Sequence, residues 1–198
     1  MRGVEQIPWL YDGYMRLIEW MGLGRWRRWL AGGASGRVLD VGTGTGRNLP
    51  HYPEGTEVVA LEPDLGMLAT ARRRLNGSGC ECLVVGDAMA MPFRDATFDT
   101  AVSGLVFCSV PDPVKGLGEV RRVLRPAGTL RMLEHVRHEK RWIARLQDLI
   151  QPAWTPIAGG CHPNRDTEAN VEAAGFTIDQ TTRRANGTLR RFVAWLDG

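Results

Sequence analysis

Nothing in the chain spells out a metal site or a disulfide framework. Its four cysteines, Cys80, Cys82, Cys108 and Cys161, are scattered without C-x-x-C spacing, which leaves neither a zinc ligand set nor a pattern of structural disulfides legible. Cys80 and Cys82 would share one face of a strand, where free cysteine behaves as a small buried hydrophobe. No stretch approaches the ~18 apolar residues of a membrane span, and no basic segment leads into an apolar run at the N-terminus, so a cytoplasmic protein is expected. Charge of one sign is scarce as well: 25 basic against 22 acidic residues leave a net charge of +3, too little to call for a nucleic-acid partner. The clusters at Arg25, Arg27, Arg28 and at Arg72 to Arg74 read as solvated helix faces. Repeats, low-complexity tracts and long linkers are absent. There remain 198 residues, 43% of them hydrophobic, enough for one sizeable core and no second full domain.

Apolar positions at Ile7, Leu10, Tyr11, Tyr14, Leu17, Ile18 and Met21 recur at three- and four-residue intervals, so the first ~20 residues read as an amphipathic helix despite Gly13. A second short helix covers Arg25 to Ala31. Then apolar runs at Val38–Val41, Val58–Leu61, Leu83–Val85, Thr100–Val102 and Leu130–Leu133 alternate with helical patterns at Arg47–Tyr52, Asp64–Leu75, Pro113–Leu124, Glu139–Ile150 and Asn164–Ala174. Near-continuous apolar strands are buried on both faces, and strands that alternate with helices form a parallel sheet. Asp64 is placed to cap its helix and Asn76-Gly77 to end it, while Pro126, Pro152 and Gly175 each follow a helix as a stop. Phe176–Thr182 and Leu189–Leu196 flank Asn186-Gly187, a hairpin signal that predicts a closing antiparallel pair.

The chemistry collects at the strand ends, where ligands of open α/β sheets bind. The first strand runs through Asp40 into glycines at 42, 44 and 46. The dinucleotide fingerprint G-x-G-x-x-G would need a glycine at 47, where Arg47 stands. The second strand ends in Glu62, about 20 residues beyond the first glycine, where a carboxylate can accept two hydrogen bonds from ribose hydroxyls. The third ends in Val85-Gly-Asp87-Ala-Met89, and the fourth in Ser103-Gly-Leu105-Val-Phe107.

In order and spacing, D-x-G-x-G-x-G, the Gly86-Asp87-Ala88 triplet, Met91-Pro-Phe93 with Phe98-Asp99, and Arg122-Val-Leu-Arg-Pro-Ala-Gly128 resemble the motifs of the class I S-adenosylmethionine (SAM)-dependent methyltransferases, type 11 group. Ala127 stands where glycine is more usual. The resemblance implies a doubly wound three-layer αβα sandwich on a seven-stranded, mostly parallel sheet whose antiparallel last strand inserts between the fifth and the sixth. It implies a single domain over 1–198, with an N-terminal helical lid over 1–31 and a Rossmann-like core over 37–198. SAM is the implied cofactor. Its binding residues would be Asp40, Gly42, Thr43, Gly44, Gly46 and Asn48 from the first loop, with backbone NH groups of a helix start near Arg47 and Asn48 available to its carboxylate. Glu62, Pro63 and Met67 would follow from the second loop, then Asp87, Ala88 and Met89, which would take the adenine, and Gly104 and Leu105. Asp40 would hold either the loop or the cofactor's ammonium group. Catalytic candidates are His135, as a base at the end of the fifth strand, and Tyr11 of the Tyr11-Asp12 pair in the lid. Glu134 would orient His135 or the acceptor.

The region from Glu134-His-Val-Arg137 through Pro152-Ala-Trp154, Gly160-Cys161, Arg165-x-Thr167 and Phe176 resembles a branch that includes small alkyl-thiol methyltransferases. A small, rather apolar acceptor is expected, thiol or amine favoured, with phospholipid-amine and quinone-ring methylation as rivals. Trp142, Trp154, Phe107 and Leu105 are expected to line its pocket, Cys161 and His162 are candidates beside them, and Trp9, Tyr11, Tyr14 and Trp20 are suited to lid it. Tryptophans near Arg25, Arg27 and Arg28 leave a transient membrane-surface contact open. No [DNS]-P-P-[YF] follows the fourth strand and no Pro-Cys nucleophile is present, which disfavours nucleic-acid methylation. Outside the class stand an NAD-dependent oxidoreductase, opposed by Arg47 and Asp87, and a non-catalytic SAM-binding module.

Overall fold

The computed structural model describes residues 8–75 and 80–196. Along the chain run α1 (Pro8–Ile18), α2 (Gly24–Gly32), β1 (Arg37–Val41), β2 (Glu57–Glu62), α3 (Leu65–Ala71), β3 (Cys80–Val85), β4 (Phe98–Gly104), α4 (Pro113–Val123), β5 (Leu124–His135), α5 (Arg141–Ile157), α6 (Thr167–Ala173), β6 (Phe176–Ile178), β7 (Arg184–Asn186) and β8 (Leu189–Leu196). The sheet order is β3-β2-β1-β4-β5-β8-β6, with β7 also paired to β8. β1 to β5 are mutually parallel and β8 is antiparallel to β5 and β6. The parallel sheet with its antiparallel strand inserted between β5 and β6 is the expected one, enlarged by the short strand β7.

Because side chains alternate across a strand, the central strands feed two cores. Leu39 and Val41 of β1 join Leu117, Val120 and Val123 of α4 and Val171 of α6. Val38 turns to the opposite face, with Leu30 and Ala31 of α2, Ala71 of α3 and Met15 of α1. Helices on both faces leave the carboxyl edge of the parallel strands as the place where loops gather.

Several element boundaries differ from the sequence reading. The helix expected over Arg47–Tyr52 is only a single 3-10 turn, Leu49–His51. Pro53 forces Tyr52 into extended backbone (φ −70°, ψ 141°), which ends the turn before a helix can propagate. No α-helix start therefore faces the glycine loop near Arg47 and Asn48. α5 runs on to Ile157 through Pro152 and Pro156, each of which removes one internal hydrogen bond. α6 begins at Thr167 because Asp166, accepting from Ala169 N, takes the capping role. Asp64 caps α3 as expected, accepting from Gly66 N and Met67 N. In the hairpin Asn186 stays paired with Leu189, so Gly187, at φ 59°, is the residue that opens the turn. α1 and α2 are separated by a kink at Gly22 (φ 126°). The first seven residues of the expected lid and the Asn76-Gly77 helix stop lie outside the described residues. Among the described residues no helix is long and apolar enough to cross a membrane.

Ala127 occupies left-handed backbone (φ 63°) in the turn at the start of β5. A β-carbon there costs roughly 1–2 kcal/mol, which gives the usual glycine at this place its physical reason. Ala127→Gly is expected to stabilise the fold by about 1 kcal/mol, read as a rise of roughly 2–4 °C in the thermal midpoint. An unchanged or lowered midpoint would remove the strain argument.

Candidate active site

A cavity of about 540 Å³ opens across the carboxyl edge of the sheet. It is floored by the loops after β1, β2, β3 and β4, walled by α1, and closed at its far end by His135 of β5, Trp154 of α5, Gly159 and Cys161 of the loop after α5, and Leu189 of β8. The strand order arranges this lining in sequence. Asp87 and Glu62 stand at one end, the glycine loop and Leu105 in the middle, and Cys108, His135 and Cys161 at the other.

Of the expected site residues, Gly42, Thr43, Gly44, Asn48, Glu62, Pro63, Met67, Asp87, Ala88, Met89, Gly104, Leu105, Tyr11 and His135 all line this cavity, whereas Asp40 and Gly46 do not. Asp40 sits on the face of β1 that carries Val38, fully buried. Its carboxylate accepts from Thr43 Oγ1 at 2.9 Å and Asn48 Nδ2 at 3.0 Å, so it holds the loop from behind. Burial pushes its carboxyl up to about 6, against hydrogen bonds that include those from Asn48 and Thr43. Gly46 answers to packing: a β-carbon there would lie 3.0 Å from the Ala71 backbone of α3. Gly44 answers to the cavity. At φ 56° it is left-handed, and a β-carbon on it would meet no protein atom within 4 Å, so the space beside it is open to a ligand.

Glu62 closes the same loop from the next strand. One oxygen accepts from Gly44 N at 3.0 Å and the other from Asp64 N at 3.1 Å. Burial raises its carboxyl above the ordinary value, and those two amides oppose the rise. Asp87, by contrast, is exposed at the tip of β3, its Oδ1 accepting from Met89 N at 2.8 Å.

At the end of β5, neighbouring side chains part to opposite faces. Glu134 turns inward rather than toward His135 or the cavity, and is fully buried. Its carboxylate accepts from Ser103 Oγ and Val106 N, both at 3.0 Å, from Phe107 N at 3.2 Å and from Cys108 N at 3.3 Å. Those donors draw the loop after β4 into a bend that places Leu105 at φ 64°, an uncommon conformation for a branched residue. Arg165 grips the same loop by donating to Phe107 O at 2.6 Å and Val110 O at 2.5 Å. His135 faces the cavity with Nδ1 3.7 Å from Cys161 Sγ.

The apolar lining differs in part from the expected one. Leu105 and Trp154 line the cavity. Phe107 is swallowed by the core, and Trp142 is 67% exposed; it lies three turns of α5 before Trp154, about 18 Å along the axis. His162 is not in the lining although Cys161 is. In α1, Tyr11, Met15 and Ile18 face the cavity, while Trp9, and Trp20 just beyond the helix, point to solvent.

Reading by sequence alone missed the group that seats α1. Arg47 donates to Asp12 at 3.0 Å and pairs with both oxygens of Glu19. Arg74 donates to Asp12 at 2.6 Å, Thr45 Oγ1 donates to Asp12 at 2.8 Å, and Arg27 donates to Glu19 at 2.8 Å. In the sequence Arg47 reads as the missing third dinucleotide glycine and as part of a helix start beside the loop, not as a partner for α1.

With this geometry in place, comparison with known proteins is direct. Residues 39–132 match the family model described as "Methyltransferase domain". Over that stretch the chain is similar to the class I methyltransferases. It is 38% identical over 162 residues to the human thiol S-methyltransferase TMT1B, covering 77% of this chain and 65% of that protein. Over 115 residues it is 40% identical to the demethylmenaquinone methyltransferase of Renibacterium salmoninarum, covering 56% of this chain and 47% of that one. The chain thus spans less than two thirds of the length of these curated relatives. Among solved structures, a SAM-dependent methyltransferase from Methanosarcina mazei superposes with a TM-score of 0.64 at 23% identity, over 81% of this chain and 92% of that one, which speaks to the fold. The matched family segment spans the glycine loop, Glu62, Asp87 and the loop after β4, but not α1, His135 or Cys161.

Burial works against ionisation of Asp12 and Glu19. The bonds from Arg74, Thr45 and Arg47 on Asp12, and from Arg47 and Arg27 on Glu19, outweigh it and hold both carboxyls below their ordinary values. A depressed folded value stabilises above the unfolded value, near ~4, and is lost as pH falls through the folded one. Amide exchange in α1 should therefore be protected at pH 6 and lose protection below about pH 4. In a double-mutant cycle of Asp12→Ala and Arg47→Ala, the coupling should reach roughly 1 kcal/mol; strictly additive denaturation would show that the web does not seat the helix.

Proposed function

We propose that this chain transfers a methyl group from SAM to a small apolar acceptor, a thiol in the first place. One juxtaposition carries the reading: a bare-backbone loop at Gly44 and carboxylates at the tips of the two neighbouring strands share one cavity with a histidine-bearing apolar end. The residues fit the cofactor. Each Glu62 oxygen keeps a lone pair beyond its amide partner and takes a ribose hydroxyl. Asp87 takes the adenine amino group, with Ala88 and Met89 against the ring. Thr43, Gly44, Asn48 and Gly104 receive the amino-acid end, which Asp40 serves only by fixing Thr43 and Asn48.

The bound cofactor supplies a methyl group already activated by its sulfonium, so the protein needs no covalent nucleophile. Its own work is alignment and exclusion of water, worth on the order of 7–11 kcal/mol. Leu105, Trp154, Met15 and Tyr11 supply the dry wall. His135 Nε2, the ring nitrogen not turned to Cys161, receives the acceptor's proton, a transfer that suits a thiol titrating near ~8.5. The kinship with a thiol S-methyltransferase supports this choice of acceptor.

Titration calorimetry with SAM and its demethylated product, followed by turnover on a panel of thiols, amines, phenols and quinols, tests the reading. Asp87→Ala and Gly44→Val should each abolish detectable binding while the protein stays folded; retained micromolar affinity in both would overturn the cofactor site. His135→Ala should slow turnover by roughly 10²-fold or more with little change in SAM affinity, and an unchanged rate would remove the base. Binding without turnover on any acceptor would leave a SAM-binding module.

A second reading, a lipophilic acceptor met at a membrane surface, draws on the outer faces of α1 and α5. α5 exposes Trp142, Leu146, Leu149 and Ile157, and α1 exposes Trp9 and Leu17, with Trp20 exposed just beyond its end. Arg16, Arg141 and Arg145 are exposed on the same helices, a composition suited to an anionic interface. Both helices also wall the cavity. Co-sedimentation with phosphatidylglycerol vesicles, lost in Trp142→Glu/Leu149→Glu and weak on neutral vesicles, is the expected result; no sedimentation on either would dismiss the surface.

A further inference from the structure

Two thiols meet at the acceptor end of the cavity, and methyl transfer gives neither a task. Cys108, on the loop after β4, and Cys161, on the loop after α5, are 3% and 6% exposed, yet both line the cavity. They pack together with Ala158, and their loops are tied by His162 N donating to Cys108 O at 2.9 Å. Each thiol is the largest influence on the other's titration. Cys161 Sγ lies 3.7 Å from His135 Nδ1 and Cys108 Sγ lies 3.6 Å from Ser109 Oγ. Both cysteines are free thiols.

The pair is electrostatically uneven. The neighbouring Cys161 thiol, together with burial and the Glu134 carboxylate nearby, pushes the Cys108 thiol up. Cys108 in turn draws Cys161 down, against burial, with His135 adding to the effect. A thiol held toward its thiolate, reachable through an open cavity and backed by a second thiol, has the make-up of a redox-sensitive site rather than of inert core cysteine.

We propose that Cys161 is a hydroperoxide-reactive thiol with Cys108 as its resolving partner, and that the disulfide they form shuts off the acceptor end of the cavity. The last clause rests on the methyl-transfer reading; the first does not. In the first step the Cys161 thiolate attacks one oxygen of a hydroperoxide. The O–O bond breaks, water or an alcohol leaves after protonation, and Cys161 becomes a sulfenic acid. In the second step Cys108 gives up its proton and its sulfur displaces the hydroxyl, which leaves as water. An S–S bond has formed and the peroxide has taken two electrons. A thiol reductant reverses the change by exchange. The bridge takes Cys161 Sγ away from His135 Nδ1 and cross-links the cavity wall beside the group that receives the acceptor's proton.

The experiment uses the whole chain treated with hydrogen peroxide and read by intact mass, peptide mapping and turnover. The expected result is a loss of two hydrogen atoms, a peptide linking Cys108 to Cys161, and Cys82 still open to alkylation. Turnover on a thiol acceptor should fall by roughly tenfold or more and return with dithiothreitol. Cys108→Ser should stop at a sulfenic acid on Cys161, trapped by dimedone. Full alkylation of both thiols after peroxide, a linkage through Cys80 or Cys82 instead, or linked protein that turns over at the reduced rate would each overturn the proposal. If the reduced protein turns over on no acceptor, the methyl-transfer reading fails by itself, and the mass and the peptide map still decide whether the thiol pair reacts as stated.

Discussion

Three carboxylates withdrawn from water at the carboxyl ends of the strands dictate the shape of the site. A buried carboxylate must be met by donors or it costs several kcal/mol, and here the loops themselves are the donors. Asp40 at β1 gathers Thr43 and Asn48, Glu62 at β2 gathers the amides of Gly44 and Asp64, and Glu134 at β5 gathers Ser103 with the amides of Val106, Phe107 and Cys108. Each strand end thereby fixes the loop beside it, and the cavity is the space those loops leave. Its floor is set by the sheet before any ligand enters, so little ordering entropy remains for a ligand to meet.

α1 is added to this floor by charge. Tyr11, Met15 and Ile18 give it an apolar cavity face, but its seat is the Asp12, Glu19 and Arg47 web, with Arg74 and Arg27 at the margins. Arg47, Asp12 and Glu19 are 12%, 15% and 19% exposed in their side chains, so the pairs are partly screened from water and geometrically demanding. The apolar contacts supply adhesion and the ion pairs supply register, holding one face of the helix toward the cavity and leaving Trp9 and Trp20 outside.

The parts of the molecule legible in the sequence were those encoded locally. Apolar strand runs, the Asp64 cap, the glycine loop and the carboxylates Glu62 and Asp87 depend on neighbours a few residues away, and the structure has them at the expected strand ends. What escaped reading depends on partners far along the chain. Arg47 meets Asp12 across 35 residues and Cys108 meets Cys161 across more than fifty, with nothing local to mark either pairing. Asp40 and Glu134 carried the right residue type but not the direction of the side chain, which the strand's alternation decides only once the register is known. The 3-10 turn at Leu49–His51 came from Pro53 outweighing a helical pattern, and α5 outran Pro152 because the loss of one internal hydrogen bond did not end a helix already anchored by buried Gln147, which bonds Val136 O and Pro163 O.

The place of β8 also bears on how the molecule is made. This strand is the last along the described chain, yet it lies inside the sheet, with Phe192 and Ala194 fully buried between β5 and β6. While the ribosome is still emitting residues near 188, β5 has one edge unpaired and β6 has no neighbour at all. The nascent chain thus carries an open apolar seam until synthesis has nearly passed β8. Joining of the two halves of the sheet by this arrangement waits until β8 has left the ribosome.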